Sequence, residues 1–436
     1  MKAYERLLHY VTFMTPSDED STTSPSSECQ FDLARELEKE LKELGVSDTE
    51  VSEYCYVYGH IPASPGYESV TPIGFVAHMD TVSAHCDHPV APVITENYDG
   101  GELALGESGR VLSPDMFPHL ADLKGRTLIT TDGTTILGAD DKAGIAEIMT
   151  MVERLMAGDA AAESAADANE NTDANADENN TNENAVSSAP IPHGPISIAF
   201  TPDEEIGRGT VNFDVAKLGA RYAYTVDGDI EGGLEYETFN AASARVTVKG
   251  VDVHPGSAKD VMINASLVAM EYNALLPAGE RPENTEGYEG FYHLTSMEGD
   301  VDHAVLTYII RDHDRDSFEN RMAVMVAAAD TINKKYGPDT VTADIKLQYR
   351  NMAEVINQNP EVLDKVKAAC ASLGIEPVIK PVRGGTDGSN LSFMGLPCPN
   401  LGTGGEAYHG PYEHITVEGM DTCADILLAI VSEYAK

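Results

Sequence analysis

Five short stretches of the chain collect residue types that hold metal ions or move protons. His78 and Asp80 stand two apart in "AHMD", directly behind the apolar run "PIGFV". Residues two apart on a strand face the same way, so both side chains can address one site. Asp140 and Asp141 are neighbours in "LGADDKAG", and Glu204 and Glu205 are neighbours in "TPDEEIGRG" after the apolar "PISIAF". Asp227 closes "YTVDG", and His409 lies in the glycine-rich "GTGGEAYHG". Two histidines with several carboxylates, and no clustered cysteines, suit zinc, cobalt or manganese rather than an iron–sulfur cluster.

Taken singly, each stretch has an ordinary explanation. His78 and Asp80 read as a satisfied histidine next to a surface acid, Asp141 as a helix cap and Asp227 as a turn residue. Their placement argues for more. All five fall at or just past the ends of apolar, strand-like runs, and in open α/β sheets that edge is where ligands bind.

The elements that must position them follow from periodicity. "YERLLHYVTFM" and "CQFDLARELEKELKELG" carry apolar residues at helical spacing, as does "DKAGIAEIMTMVERLMAG" from about Asp141. Apolar runs "TPIGFVAHMD", "RTLITTDG", "PISIAF" and "RYAYTVDG" read as strands between them, which indicates an α/β sheet with helices on both faces. From about Ala241 the order becomes strand, helix, two strands, helix, strand, the ferredoxin-like arrangement. The α/β pattern then resumes with "PEVLDKVKAACASLG" and "DTCADILLAIVSEYAK". The expectation is a larger domain from residues 1–240 and 351–436, interrupted by a smaller one at 241–350. Residues 159–188 hold eight acids and no basic or aromatic residue, and are expected to be disordered.

Composition removes several function classes. A net charge of −43 over 436 residues argues against nucleic acid or an anionic membrane as partner. No apolar run approaches the length of a membrane span, and the amphipathic N-terminus lacks the layout of a signal peptide. Six scattered cysteines without a CxxC pair read as free thiols of a reducing compartment, so the expected location is cytoplasmic.

The stretches "GFVAHMDTV", "TTDGTTILGADDKAG", "FTPDEEIGRG", "YTVDG", "HPGSAKDVMINA", "RGGTDGSNLSFMGLPCPN" and "YHGPYEH" occur in one order along the chain. Together they resemble the dinuclear zinc peptidase family that includes carboxypeptidase G, carnosinase-type dipeptidases and succinyl-diaminopimelate desuccinylase. Within it they are most similar to the tripeptide aminopeptidases. The resemblance implies a zinc-exopeptidase-like catalytic domain with an inserted lid or dimerisation domain, and a homodimer formed through that insertion.

It also implies roles. His78 and Asp227 would hold one zinc ion, Glu205 and His409 the other, and Asp140 would bridge them; cobalt or manganese are the expected substitutes. Asp80 would orient the His78 imidazole. Glu204 would be the general base acting on a metal-activated water, and the Asp140–Asp141 peptide would be cis. His254 would stabilise the oxyanion, while Arg383 and Arg311 would bind the substrate's terminal carboxylate, for which a planar guanidinium is suited. From the residues alone, His254 reads as a turn histidine and Arg311 as a strand-end charge. The preference for tripeptides and a free amine likewise comes from the resemblance. A dipeptidase or N-acyl-amino-acid deacylase on the same scaffold, and a metal-binding protein without catalysis, are the alternatives.

Overall fold

A computed structural model describes residues 1–170 and 190–436. The chain divides into two compact units: Met1–Glu235 with Val355–Lys380 and Thr386–Lys436, and Tyr236–Glu354 with Pro381–Gly385.

The first unit is built on an eight-stranded mixed sheet. Its order is Asp48–Val51, Val57–Ile61, Ile196–Thr201, Ile73–His78, Tyr222–Gly228, Asn400–Gly402, Gly233–Glu235 and Val378–Ile379. The strands Ile73–His78 and Ile196–Thr201 are buried on both faces, which explains their unbroken apolar sequences. They run parallel to each other, Ile73–His78 is also parallel to Tyr222–Gly228, and Ile196–Thr201 is antiparallel to Val57–Ile61; register sets the functional edge. His78 pairs with Thr201, and Val76 pairs with Thr225. Two residues beyond Thr225 is Asp227, and two beyond Val76 is His78. The sheet therefore delivers His78, Asp227 and the segment after Thr201 to one place.

Helices cover this sheet through the apolar faces read from their spacing. The helix Gln30–Glu43 buries Leu33, Ala34, Leu37 and Leu41. The helix Ala139–Glu170 buries Ile145, Ile148, Met149, Val152 and Leu155 along its first half, and Val417–Tyr434 packs against it. The backbone of Ala139–Glu170 continues twelve residues into the stretch 159–188 expected to be disordered. Alanine-rich "DAAAESAADANE" explains that extension, because alanine has the highest helix propensity. The rest of the stretch lies outside the described residues. A second, smaller sheet was not legible in the sequence beyond its strand Leu128–Thr131; its order is Gly405–Glu406, His414–Thr416, Leu128–Thr131 and Pro92–Thr95.

The second unit has the ferredoxin-like order. Its antiparallel sheet runs Phe291–Gly299, His303–Asp312, Asn240–Lys249, Val341–Tyr349, with helices Ala265–Ala274 and Arg315–Tyr336. Alternation along His303–Asp312 turns Ala304, Leu306, Tyr308 and Ile310 into a core with Val268, Tyr272, Met325 and Ile332 of the helices. No helix among the described residues is long and apolar enough to cross a membrane.

Candidate metal centre

The seven sequence-predicted residues of the first unit converge. His78 Nε2 lies 2.9 Å from Asp140 Oδ1 and 3.3 Å from Asp227 Oδ1. The other oxygen of Asp140 lies 3.0 Å from His409 Nε2, which is also 3.2 Å from Glu205 Oε2. Two groups of three have ligand atoms all within 4.8 Å of one another: His78, Asp140, Glu205 and His78, Glu204, Asp227. Asp140 is thus the hinge of the arrangement, with one carboxylate oxygen for each imidazole.

Local structure explains how each side chain gets there. Asp140 and Asp141 begin a helix in name but not in dihedral angles, with ψ of 105° and 32°, and the peptide between them is cis, as the resemblance implies. The Asp141 carboxylate accepts the backbone N–H of Gly144 at 3.2 Å, a capping bond, and that of His78 at 3.0 Å. It ties the helix start to the strand that carries His78. His409 reaches Asp140 from a loop in which its own backbone is left-handed, φ +63°.

Asp80 has two jobs. The imidazole Nδ1 of His78 donates to the main-chain carbonyl of Asp80 at 3.0 Å, and the Asp80 carboxylate stands farther off at 3.5 Å. That carboxylate instead accepts the backbone N–H groups of Glu204 at 2.9 Å and Glu205 at 3.2 Å. The second function could not be read from sequence, since it joins segments over a hundred residues apart.

Glu413 is a further residue that sequence reasoning missed. Buried to 1% exposure, it accepts the N–H groups of Leu137 at 2.7 Å, Gly138 at 2.9 Å and Asp140 at 3.1 Å. It thereby holds the turn that presents Asp140. Its only signal was membership of the motif "YHGPYEH". Asp387, in "RGGTDGSN", is another buried carboxyl; it accepts the Thr201 hydroxyl at 2.7 Å, and burial pushes its pKa up to about 7.

The electrostatics show a surplus of negative charge. Burial raises the pKa of Asp227 to about 6 and that of Glu205 above the usual range, and Glu204 is raised well above it by burial and the charge of Asp227. Burial also works against the charge of Asp140, yet the two imidazoles outweigh it and hold this carboxyl well below its ordinary value. His409 is pushed up to about 11 by its hydrogen bonds to Asp140 and Glu205. Burial disfavours protonated His78, but Asp227 and Asp140 together raise its pKa well above normal. Four carboxylates against two imidazoles is a donor set that fits divalent cations, which would relieve the repulsion directly.

The three remaining predicted residues lie in the second unit, and each is engaged within it. His254 is exposed and its Nδ1 accepts the Gly256 N–H at 3.1 Å, the geometry of a turn histidine. Arg311 donates to the carbonyls of Ile310 and Ala242 at 3.0 and 3.2 Å and packs on Tyr349. Arg383 donates to the carbonyls of Gly287 and Glu289 at 2.8 and 2.9 Å and packs against the rings of both Phe239 and Phe291. Its segment, Pro381–Gly385, belongs to the second unit although the sequence pattern around it is that of the first.

Comparison with known proteins extends these observations. Residues 236–340 match the peptidase dimerisation domain. Peptidase T of Desulfitobacterium hafniense is 50% identical over 433 residues, covering 99% of this chain and 98% of that protein. Peptidase T of Geobacillus kaustophilus is 49% identical with the same coverage. The crystal structure of aminopeptidase PepT from Bacillus cereus superposes with a TM-score of 0.70 at 24% identity, covering 99% of both chains, which shows the shared fold. With about half of its residues identical to those relatives from end to end, the chain belongs to the peptidase T family.

Proposed function

We propose that this protein is a metallo-aminopeptidase that releases the N-terminal residue of tripeptides, with two zinc ions bound in the cluster around Asp140. The observation that carries the reading is the split of Asp140 between two imidazoles, 2.9 Å to His78 and 3.0 Å to His409. A carboxylate presented in this way suits a ligand shared by two cations. His78 and Asp227 would complete one metal's ligands, and Glu205 and His409 the other's. Two such cations would supply polarisation of the scissile carbonyl and a lowered pKa for a bound water.

The chain's own residues account for the rest. Glu204 is adjacent to ligand Glu205 and is raised well above the ordinary carboxyl range by burial. In its ionised form this carboxylate takes a proton from the attacking water as the water's oxygen bonds to the carbonyl carbon. Glu204 then returns the proton to the amide nitrogen as the carbon–nitrogen bond breaks, leaving a free amine and Glu204 ionised again. Asp80 fixes the backbone of Glu204 and Glu205, while Asp141 and Glu413 fix the turn carrying Asp140. These surrounding carboxylates keep the reacting side chains in place without reorganisation.

The substrate-binding roles of His254, Arg311 and Arg383 belong to the same proposal. The Nδ1 of His254 is taken up by its own turn, so Nε2 is the nitrogen that would meet the oxyanion. The match to the peptidase dimerisation domain supports a homodimer formed through the second unit. Comparing hydrolysis of a tripeptide, a dipeptide and an N-acetyl amino acid tests the substrate class. The tripeptide should be cleaved fastest, from its N-terminus; preference for the acetylated compound would overturn the reading.

A further inference from the structure

Asp203, the residue before the two glutamates, is not among the proposed ligands, yet it is buried to 1% exposure. Its backbone is left-handed, φ +57°, a conformation that glycine adopts freely and other residues at a cost. Its carboxylate is committed to the N-terminal part of the chain. It accepts the Ser26 backbone N–H at 2.8 and 3.0 Å through its two oxygens, the Ser26 hydroxyl, and the Gln30 side-chain amide at 2.8 Å.

The segment it grips is itself anchored to the other side of the cluster. Ser17 N donates to the Thr81 carbonyl, Thr81 N to the Thr15 carbonyl, both at 3.0 Å, and the Thr15 hydroxyl to the Met79 carbonyl at 2.7 Å. Farther along, Arg208 donates to the Ser21 carbonyl at 2.8 Å and Asn212 to the Ser24 hydroxyl at 3.1 Å. Residues 15–30 therefore connect the turn after His78 to the turn that carries Glu204. Asp80 holds the Glu204 main chain directly, and Asp203 holds it from the next residue through this segment.

We propose that Asp203 is a positioning residue for Glu204, acting through Ser26 and Gln30 and using residues 15–30 as a brace. A buried carboxylate must be compensated by hydrogen bonds, and here all of those given by side chains and by Ser26 come from the brace. If the turn needed only a left-handed residue, glycine would meet the requirement without burying a charge. Glu205 is anchored separately, since the Val82 N–H donates to its Oε1 at 3.2 Å. Loss of the Asp203 carboxylate leaves this anchor and the bonds of Thr15 and Ser17 to Thr81 in place, so it bears on Glu204 more than on the metal ligands. The inference rests on the reading of Glu204 given above.

Asp203→Gly tests it, because glycine keeps the left-handed turn accessible and deletes only the carboxylate. Turnover of a tripeptide should fall by about 100-fold, as expected for a displaced reacting group, with KM and metal content unchanged. Gln30→Ala leaves residue 203 in place and should lower kcat by about 10-fold with the same signature. Asp203→Gly at wild-type kcat overturns the proposal, as does loss of metal in parallel with kcat. Should Asp203→Gly fail to fold, Gln30→Ala decides by the same readout, and wild-type kcat there overturns it. Failure of the wild-type enzyme to cleave tripeptides would count instead against the functional reading, so the two failures are separable.

Discussion

The Asp80 carboxylate accepts the backbone N–H of Glu204 at 2.9 Å and, through its second oxygen, that of Glu205 at 3.2 Å. One buried acid thus sets the main chain of both the proposed base and a proposed ligand. It does so from a turn whose other member, His78, belongs to the same cluster. The two glutamates leave the strand Ile196–Thr201 in a single turn of 3₁₀ helix, so successive side chains diverge and serve different partners.

Removing that grip should damage catalysis more than folding. Asp80→Ala is expected to lower kcat/KM for a tripeptide by roughly 100-fold, the upper range for residues that orient metal ligands. Steady-state kinetics combined with metal analysis check this. An Asp80→Ala enzyme with wild-type kinetics would mean the two N–H bonds do not matter to the reaction.

Glu413 acts on the opposite side, through the turn that carries Asp140. Glu413→Gln leaves one acceptor oxygen for three N–H donors. Metal affinity should weaken by about 10- to 100-fold, as for other outer partners of metal ligands. Equilibrium dialysis against zinc measures it directly; unchanged affinity would show that the turn holds itself.

Packing at the start of the helix Ala139–Glu170 admits no side chain at Gly144. A Cβ there would stand 1.8 Å from the Val226 carbonyl oxygen and 2.4 Å from Asp141 Oδ1. Gly144→Ala must push the helix away from the strand bearing Asp227, at a cost of about 3 kcal/mol or more. Thermal unfolding should show a large drop in Tm; a variant as stable as wild type would contradict the close approach.

His414 supplies a pH dependence away from the cluster. Its ring meets that of His119 edge to edge and nearly coplanar, 8° apart, with the Nε2 atoms 2.8 Å apart, so one nitrogen donates and the other accepts. Burial lowers the His414 pKa to about 4 from an ordinary 6.5. The unfolded chain therefore binds more protons than the folded one between those values. Stability from this group is fully present above pH 6.5 and is lost as the pH falls towards 4, by about 3 kcal/mol. Urea unfolding at several pH values should show that slope in the wild type and a shallower one in His414→Asn. Equal slopes would remove His414 as the source.

Much of this could be read from the sequence, and the limits have physical causes. His78, Glu205 and Asp227 could be picked out because buried strands are uninterrupted apolar runs whose ends are easy to locate, whereas Asp140 and His409 lie in a helix start and a loop and were legible through their motifs. Register then brings those ends together. The roles of Asp80, Asp203 and Glu413 towards backbone N–H groups could not be read, because a hydrogen bond between distant segments leaves no periodicity. Strands of two to four residues, such as Gly405–Glu406, are too short to show alternation. The sequence around Arg383 carries the pattern of the larger domain, whereas its guanidinium is held by the loop carrying Gly287 and Glu289.

In the proposed division of labour between the adjacent glutamates, Glu204 carries the proton and Glu205 binds metal. Measuring tripeptide turnover and bound zinc in Glu204→Ala tests it most directly. Turnover should be abolished while zinc stays near two ions per chain, the number a dinuclear site of this kind holds. Loss of the zinc together with the activity would contradict that division, because Glu204 would then be a ligand.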